Sequence, residues 1–533
     1  MPTTAVTTRR KEPQSSKVGR PPASTGKVVI SDLIEVLEEY LDPKEVKAVY
    51  KAYLFGADAH HGQHRRSGEA FISHPLSVAL ILADMRLDSP SISAAILHDV
   101  IEDTPTLREQ LAESFGEDVA LLVDGVSKID QIEFESKEHA EAENFRKMLL
   151  AMAKDIRVIL IKLADRIHNM RTLDFLRSDQ RKRIAQQTFD IYAPIANRLG
   201  MYTWTQELED LSFQFLYPKR YSAIRKEISK RRGNRKRVVD RSRLKIIEEL
   251  EEIGIDATVV GREKNIYSVY RKMQDRRVPM AEMGDIFAIR IIVNTVDECY
   301  RVLGIIHNLY KPVPGMFKDY IAIPKANGYQ SLHTQLFGTF GQSIEVQIRT
   351  TDMHRVAESG VASHWRYKSH GGEAPPQIVA HSWLVDLIET QQESSNPSEF
   401  LEHLKTDLFP DEIYVFTPKG DIKKLPKGAS ALDFAYAVHS DIGNHCIGAK
   451  IGNEAIPLHH VLSNGDHIEV LTARSACPTP LWLHYVVTGK ARASIRNYLK
   501  SQQEGDAAKL GRQLLDQALT SVGLTTRLKT SQK

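Results

Sequence analysis

What the sequence lacks narrows its chemistry first. It has only three cysteines, Cys299, Cys446 and Cys477, set far apart and without a CxxC pair. That argues against a disulfide framework or a structural zinc site, and for a reducing, cytoplasmic compartment. No uninterrupted apolar run is long enough to cross a bilayer, and the first residues carry no apolar signal-peptide core. Charge excess is small as well: 71 Lys and Arg against 68 Asp and Glu leave +3. No global attraction for polyanions follows, so any basic site has to be local. No GxxxxGK[ST] loop occurs, so phosphate binding would rest on Arg and Lys side chains rather than on a backbone cradle.

What is present fits a globular chain of several domains: 533 residues, 42% hydrophobic and 26% charged. Residues 1–28 are rich in Thr, Ser, Pro, Lys and Arg, and a disordered basic tail is expected there. Over 29–217 the apolar residues recur at helical spacing, as in Leu76, Val78, Ala79, Leu82 and Ala83, which predicts an all-α domain. In 218–372 a basic helical stretch containing Arg225, Lys226, Lys230 and Arg231 gives way to short β-rich runs at 257–260, 286–293, 332–337 and 344–348. Helical segments separate those runs, and an α+β domain is predicted. Residues 373–408 read as a linker with short helices. Residues 409–473 are strand-rich, with turn signals such as Pro418-Lys419-Gly420 and Asn464-Gly465-Asp466, and predict a small β-grasp-like module. Residues 474–533 open a helical region.

Two constellations carry chemistry. In the first, the apolar run Ala94–Leu97 leads directly into His98-Asp99-Val100-Ile101-Glu102-Asp103. On a continuous helix His98 would share a face with Glu102, and Asp99 with Asp103. Four clustered polar groups at the end of an apolar run are costly to bury unless something pairs with them, and a metal ion would do so. Downstream, Val158–Ile161 leads to Lys162, Asp165, His168 and Asn169. Imidazole with carboxylate suits a divalent ion such as manganese, iron or zinc. A lone His-Asp pair would more often be an ordinary solvated or core pair; two such clusters on apolar helices of one domain favour the metal.

The second constellation is Gly261-Arg262-Glu263-Lys264-Asn265-Ile266-Tyr267-Ser268, followed by Arg271 and Lys272. Asp285 opens a strand, and Phe317-Lys318, Lys325, Tyr329, His333 and Glu345-Val346-Gln347-Ile348-Arg349 follow. Singly, each of these cations is an ordinary surface charge.

Together the motifs resemble a known family. Gly62-Gln63-His64-Arg65-Arg66-Ser67, Phe71-Ile72-Ser73-His74-Pro75, His98 to Asp103 and Leu163 to Thr172 are similar to the hydrolase motifs of the long RelA/SpoT homologues. The second constellation resembles their alarmone synthetase domain, of nucleotidyltransferase-like fold. Ile413 to Gly420, Asp433 to His439 and Asn464 to Val470 look like a TGS domain. The resemblance runs in order from about residue 30 to about residue 499. It implies an all-α HD-type hydrolase domain whose metal, usually manganese, is held by His74, His98, Asp99 and Asp165. It implies that Glu102 and Asp103 position or activate water, and that Arg65, Arg66, Ser67, Asn169 and Thr172 hold the nucleotide. In the second domain it implies magnesium on Asp285 and Glu345 assisting deprotonation of the acceptor. Arg262, Lys264, Lys272, Lys318 and Lys325 would neutralise phosphates, Tyr329 would stack on guanine and His333 would line the nucleotide site. The choice of His74 over His60, His61 or His64 rests on the resemblance alone.

The implied reactions are hydrolysis of (p)ppGpp to GDP or GTP and pyrophosphate, and a weaker transfer of pyrophosphate from ATP to the 3′-hydroxyl of GDP or GTP. A TGS partner would be the ribosome, tRNA or an acyl carrier protein. Zinc-finger-like and ACT parts are usual after the TGS module in long members; these residues do not carry them. Three departures stand out: Arg66 where Lys is usual, Ala70-Phe71 for Pro-Tyr, and Asn265 where His is common. The first two keep a cation and an aromatic, whereas the third replaces an ionisable imidazole with an amide. Two other readings use some of the same residues: an HD phosphohydrolase of another nucleotide, and a non-enzymatic RNA- or ribosome-binding regulator.

Overall fold

The computed structural model describes residues 28–127, 154–277, 279–280, 287–325, 327–338, 343–364 and 412–502. The expected tail (residue 28 apart), the 373–408 linker, Asp285 and the side chain of Arg231 lie outside the described residues.

The first domain is helical: α1 Ile30–Leu37, α2 Pro43–Ala59, α3 Ser73–Asp84, α4 Ser89–Leu97, α5 Val100–Asp103, α6 Arg108–Phe115, α7 Glu117–Ser127, α8 Ile156–Arg171, α9 Ser178–Gln187, α10 Ala193–Arg198 and α11 Tyr202–Leu216. Helix α4 begins where Asp88 accepts the N–H of Ser91 at 3.2 Å, with Pro90 in its first turn, where proline forfeits no hydrogen bond. Helices α3 and α4 are apolar on nearly every face, and α8 over Val158–Ile161, because they lie at the centre: Leu82, Ile92, Ile96, Leu160 and Leu163 are fully buried. Arg157 ties α8 to the start of α4 and to α7, with its guanidinium 3.1 Å from Asp88, 2.7 Å from Asp118 and 2.6 Å from Asp155.

Helix α12, Pro218–Glu252, carries the chain into the second domain and buries Ile224, Ile228, Val239, Ile246 and Leu250 in a separate core. There β1 Thr258–Glu263, β2 Phe287–Val293, β3 Lys318–Asp319, β4 Leu332–Phe337 and β5 Ser343–Thr350 form one mixed sheet in the order β1-β2-β5-β4-β3. The β2–β5 pair is parallel and the other pairs are antiparallel. Helices α13, Ile266–Arg276, and α14, Val296–Leu309, complete the domain. Strand alternation sends Ile289, Ile291, Val346, Ile348, Leu332 and Leu336 to the buried face. The opposite face receives Arg262, Arg290, His333, Glu345, Gln347 and Arg349. After α15, Thr351–Ser359, Val361 and Ala362 return to the core of the first domain.

The third unit has the hairpin β6 Glu412–Phe416 and β7 Ile422–Pro426, helices α16 Ala431–Val438 and α17 Ser440–Asn444, and the sheet β10-β8-β9, made of β8 Cys446–Ile451, β9 Glu454–Ile456 and β10 Ile468–Thr472. A bridge between Phe416 and His467 joins hairpin to sheet, giving the β-grasp arrangement.

One local expectation is corrected. Helix α4 ends at Leu97, and His98-Asp99 form a turn before the short α5. His98 and Glu102 therefore do not lie on one uninterrupted helix. The turn folds the Asp99 carboxylate back toward the His98 ring.

Candidate metal centre and nucleotide site

His74 opens α3, His98 follows α4 and Asp165 lies within α8; all three are buried. His74 Nε2 is 3.1 Å from Asp165 Oδ1 and 3.8 Å from Asp99 Oδ2. His98 Nε2 is 3.0 Å from Asp99 Oδ1 and 4.0 Å from Asp165 Oδ1. The four expected ligands thus converge, and His74, His98 and Asp99 can offer ligand atoms within 4.8 Å of one another.

Hydrogen bonding makes this a site for a cation. His98 Nδ1 lies 2.8 Å from the Ala95 carbonyl, which only accepts, so Nδ1 carries the proton. Among the described residues its buried Nε2 has no hydrogen-bond partner, despite the nearby carboxylate. A lone pair facing a carboxylate at that separation is repulsive unless a positive charge, a proton or a metal ion, lies between them. Burial lowers the proton affinity of His98, yet Asp99 and then Asp165 outweigh it and push the ring up to about 9. Burial opposes ionisation of Asp165, but Lys162, 3.4 Å away, and His74 hold it well below the usual carboxylate range. His98 likewise holds Asp99 low against the effect of burial. The donor set, two imidazoles and two carboxylates with an orphaned nitrogen, fits a divalent metal ion.

Around this cluster, Arg65 reaches Asn169 Oδ1 at 2.8 Å, and Asn169 Nδ2 donates to Asp165 Oδ1 at 2.6 Å. Thr172 bonds back to the His168 carbonyl at 3.1 Å, and Arg66 donates to Gln180 at 3.0 Å. Ser67 is half-buried on the loop between Arg65 and His74. Glu102 and Asp103 sit on α5; burial, then Asp99, raises the Asp103 carboxyl. His61 and His64 are exposed, while His60 is buried, stacked on Phe71 at 4.4 Å and 2.9 Å from Gln63.

On the second domain's sheet, Glu345 stands between β2 and β4, opposite Ala288 and Gln335. Lys264 Nζ is 2.5 Å and Lys272 Nζ 3.1 Å from its Oε2, and Gln347 donates to its Oε1 at 3.0 Å. Against burial, Lys264 and Lys272 hold Glu345 far below its ordinary value. Tyr329 Oη is 2.8 Å from His333 Nε2, and Lys325 lies 5.4 Å over the Tyr329 ring. Burial takes His333 down to about 3. Arg262 packs over the Tyr202 ring at 5.2 Å and bonds to Gln206, while Lys318 is exposed beside His333 on the neighbouring strand.

Comparison with known proteins gives three family matches: HD domain over residues 52–202, a region found in RelA/SpoT proteins over 261–372, and TGS domain over 413–472. A guanosine-3′,5′-bis(diphosphate) 3′-pyrophosphohydrolase of Vibrio cholerae is 52% identical over 92% of this chain and 70% of its own length. The bifunctional (p)ppGpp synthase/hydrolase SpoT of Escherichia coli is likewise 52% identical, over 92% of this chain and 70% of its own. The chain belongs to the RelA/SpoT family. A GTP pyrophosphokinase of Myxococcus xanthus is 47% identical, over 91% of this chain and 64% of its own.

For this RelA/SpoT member, sequence reasoning gave no role to several residues that the fold brings to the sites. Lys162 and His168 flank Asp165 at three residues on either side, on the same face of α8, and that spacing was the available signal. Tyr202 and Gln206, one helical turn apart on α11, meet Arg262 across the domain boundary. Arg290 and Arg349 converge on Glu358, at 2.8 and 3.3 Å. Nothing local in the sequence announces those long-range contacts.

Proposed function

We propose that this RelA/SpoT protein hydrolyses (p)ppGpp to GDP or GTP and pyrophosphate at the cluster of His74, His98, Asp99 and Asp165, and that its second domain transfers pyrophosphate from ATP to GDP or GTP. The observation that carries the hydrolytic assignment is the buried Nε2 of His98, without a hydrogen-bond partner among the described residues and aimed at carboxylates in an HD domain. Manganese is the proposed ion there. When bound, it would lower the pKa of a coordinated water and polarise the 3′-linked phosphate. Asp103, whose raised carboxyl holds a proton more readily than a free aspartate, and Glu102 orient the attacking water and take its proton. Arg65, Arg66, Ser67, Asn169 and Thr172 line the approach and bind the nucleotide.

In the second domain, Lys264 and Lys272 pair with Glu345. Phosphates of an arriving nucleotide compete for those ammonium groups and release Glu345 to accept a proton from the 3′-hydroxyl. Tyr329 stacks on guanine, His333 supports it, and Arg262, Lys318 and Lys325 neutralise phosphate charge. Magnesium on Asp285 completes the proposal. Asn265 in place of the usual His makes this the weaker activity. The TGS domain docks ribosome, tRNA or acyl carrier protein, and the protein works in the cytoplasm. Among the described residues no helix is long and apolar enough to cross a membrane. Incubation with ppGpp and manganese, then with ATP and GDP, tests both assignments: pyrophosphate release in the first and slower alarmone formation in the second are expected.

A further inference from the structure

Among the described residues no backbone carbonyl fixes the tautomer of His74 as Ala95 does that of His98. Instead its Nδ1 lies 2.7 Å from Nδ1 of His168, a half-buried residue one turn along α8 from Asp165. Two ring nitrogens at that distance share one proton, and the geometry of the pair does not say which owns it. Arg65 decides it. Its Nη1 lies 3.4 Å from the same His168 Nδ1, and a guanidinium can only donate. His168 Nδ1 is therefore the acceptor for both neighbours, and His74 Nδ1 carries the proton.

We propose that His168 is a positioning residue of the metal centre, accepting the Nδ1 proton of His74 and so turning the His74 Nε2 lone pair toward Asp99, Asp165 and His98. With the opposite tautomer, Nε2–H would donate to Asp165, 3.1 Å away, and the site would lose a ligand. Asn169 acts in parallel on the other side, holding Asp165 Oδ1 at 2.6 Å. Arg65 ties the two supports together, since its Nη2 donates to Asn169 Oδ1 at 2.8 Å. A ligating histidine commonly depends on such a partner at its remote nitrogen, and losing one typically costs 10–100-fold in metal affinity. Here the partner is a second imidazole instead of a carboxylate or carbonyl, which adds no negative charge to a cluster that already holds two carboxylates.

This inference rests on reading the cluster as a metal centre, and the test separates the two. Manganese is titrated into the full chain, and free ion is followed by electron paramagnetic resonance. The proteins compared are wild type, His168→Leu and His168→Asn, each checked by circular dichroism. Leucine removes the acceptor; the asparagine amide oxygen can stand where Nδ1 stood. Affinity should fall roughly 10–100-fold in His168→Leu and recover most of that loss in His168→Asn. Should the leucine variant fail to fold, His168→Phe, which keeps a ring without an acceptor, takes its place. Wild-type affinity in the acceptor-free variant would overturn the inference while leaving the metal reading intact. Equal loss in the asparagine variant would also overturn it, because ring shape rather than the acceptor would then matter. Absence of manganese binding by the wild type would remove the metal reading and the inference together.

Discussion

Asp210, on α11 of the helical domain, accepts the backbone N–H of Tyr267 at 2.8 Å and that of Ile266 at 3.3 Å, where α13 of the second domain begins. The N-cap of α13, Asn265, makes no side-chain cap, so two of the helix's unpaired donors are satisfied from across the domain boundary. Asp210→Ala should cost about 1 kcal/mol, in the manner of a lost helix cap. Chemical denaturation checks it: the loss is expected in the transition that unfolds the second domain, and no change in midpoint would show the cap to be without consequence.

The neighbouring Glu209 gives a pH signature. Burial pushes its carboxyl up to about 7 from 4.5, against the opposing influence of Arg271. The folded state therefore keeps a proton that the unfolded chain gives up sooner. Stability should decline as pH rises from about 4.5 to about 7 and level off above that. Glu209→Gln removes this component. The variant should gain in melting temperature over wild type at pH 8 and lose most of that advantage at pH 4.5. An equal difference at both pH values would contradict the sign.

Gly360 marks where the chain returns from the sheet to the helical core. Its φ is +52°, and an added Cβ would lie 2.5 Å from the Leu199 carbonyl oxygen and 2.6 Å from the Gly200 carbonyl carbon. Both atoms are backbone and cannot rotate away. Gly360→Ala should destabilise the protein by roughly 1–3 kcal/mol, the range for overpacking. A melting temperature within error of wild type would mean the two segments separate freely.

The two activities should part cleanly under mutation. Glu345→Gln should abolish alarmone synthesis and leave ppGpp hydrolysis unaltered, because Glu345 lies on β5 of the sheet and the His-Asp cluster on α3, α8 and the turn after α4. Asp103→Asn should cut hydrolysis and expose the weak synthesis, which Asp285→Ala in the same chain should remove. Radiolabelled nucleotides resolved by thin-layer chromatography give both rates. Synthesis by the unmodified protein exceeding its hydrolysis would refute the assigned balance.

Much of this was legible in the sequence because the relevant signals are local. The strands at 332–337 and 344–348 were readable from their β-rich composition, and the first matches β4 residue for residue. The all-α character of the first domain followed from its helical spacing. His98 and Asp99 stood out as polar groups ending an apolar helix. The turn that separates them from Glu102 did not, because Val100 and Ile101 continue the helical pattern and only tertiary packing breaks it. Residue chemistry did not single out His74 among four nearby histidines, and the resemblance alone supplied that choice: His60 has the same chemistry and is also buried, but in the fold it pairs with Gln63. Contacts such as Arg262 with Gln206, or Asp210 with Tyr267, join residues more than fifty positions apart and leave no local trace.

The metal dependence of pyrophosphate release tests the account most directly. The full chain, stripped with a chelator and verified metal-free, is incubated with ppGpp labelled in its 3′-diphosphate, then supplied with manganese. Release should be absent from the stripped protein, return on addition of manganese, and stay absent in a folded Asp165→Ala variant under both conditions. Release by the verified metal-free wild type at its original rate would contradict the assignment of His74, His98, Asp99 and Asp165 as a metal-dependent catalytic centre.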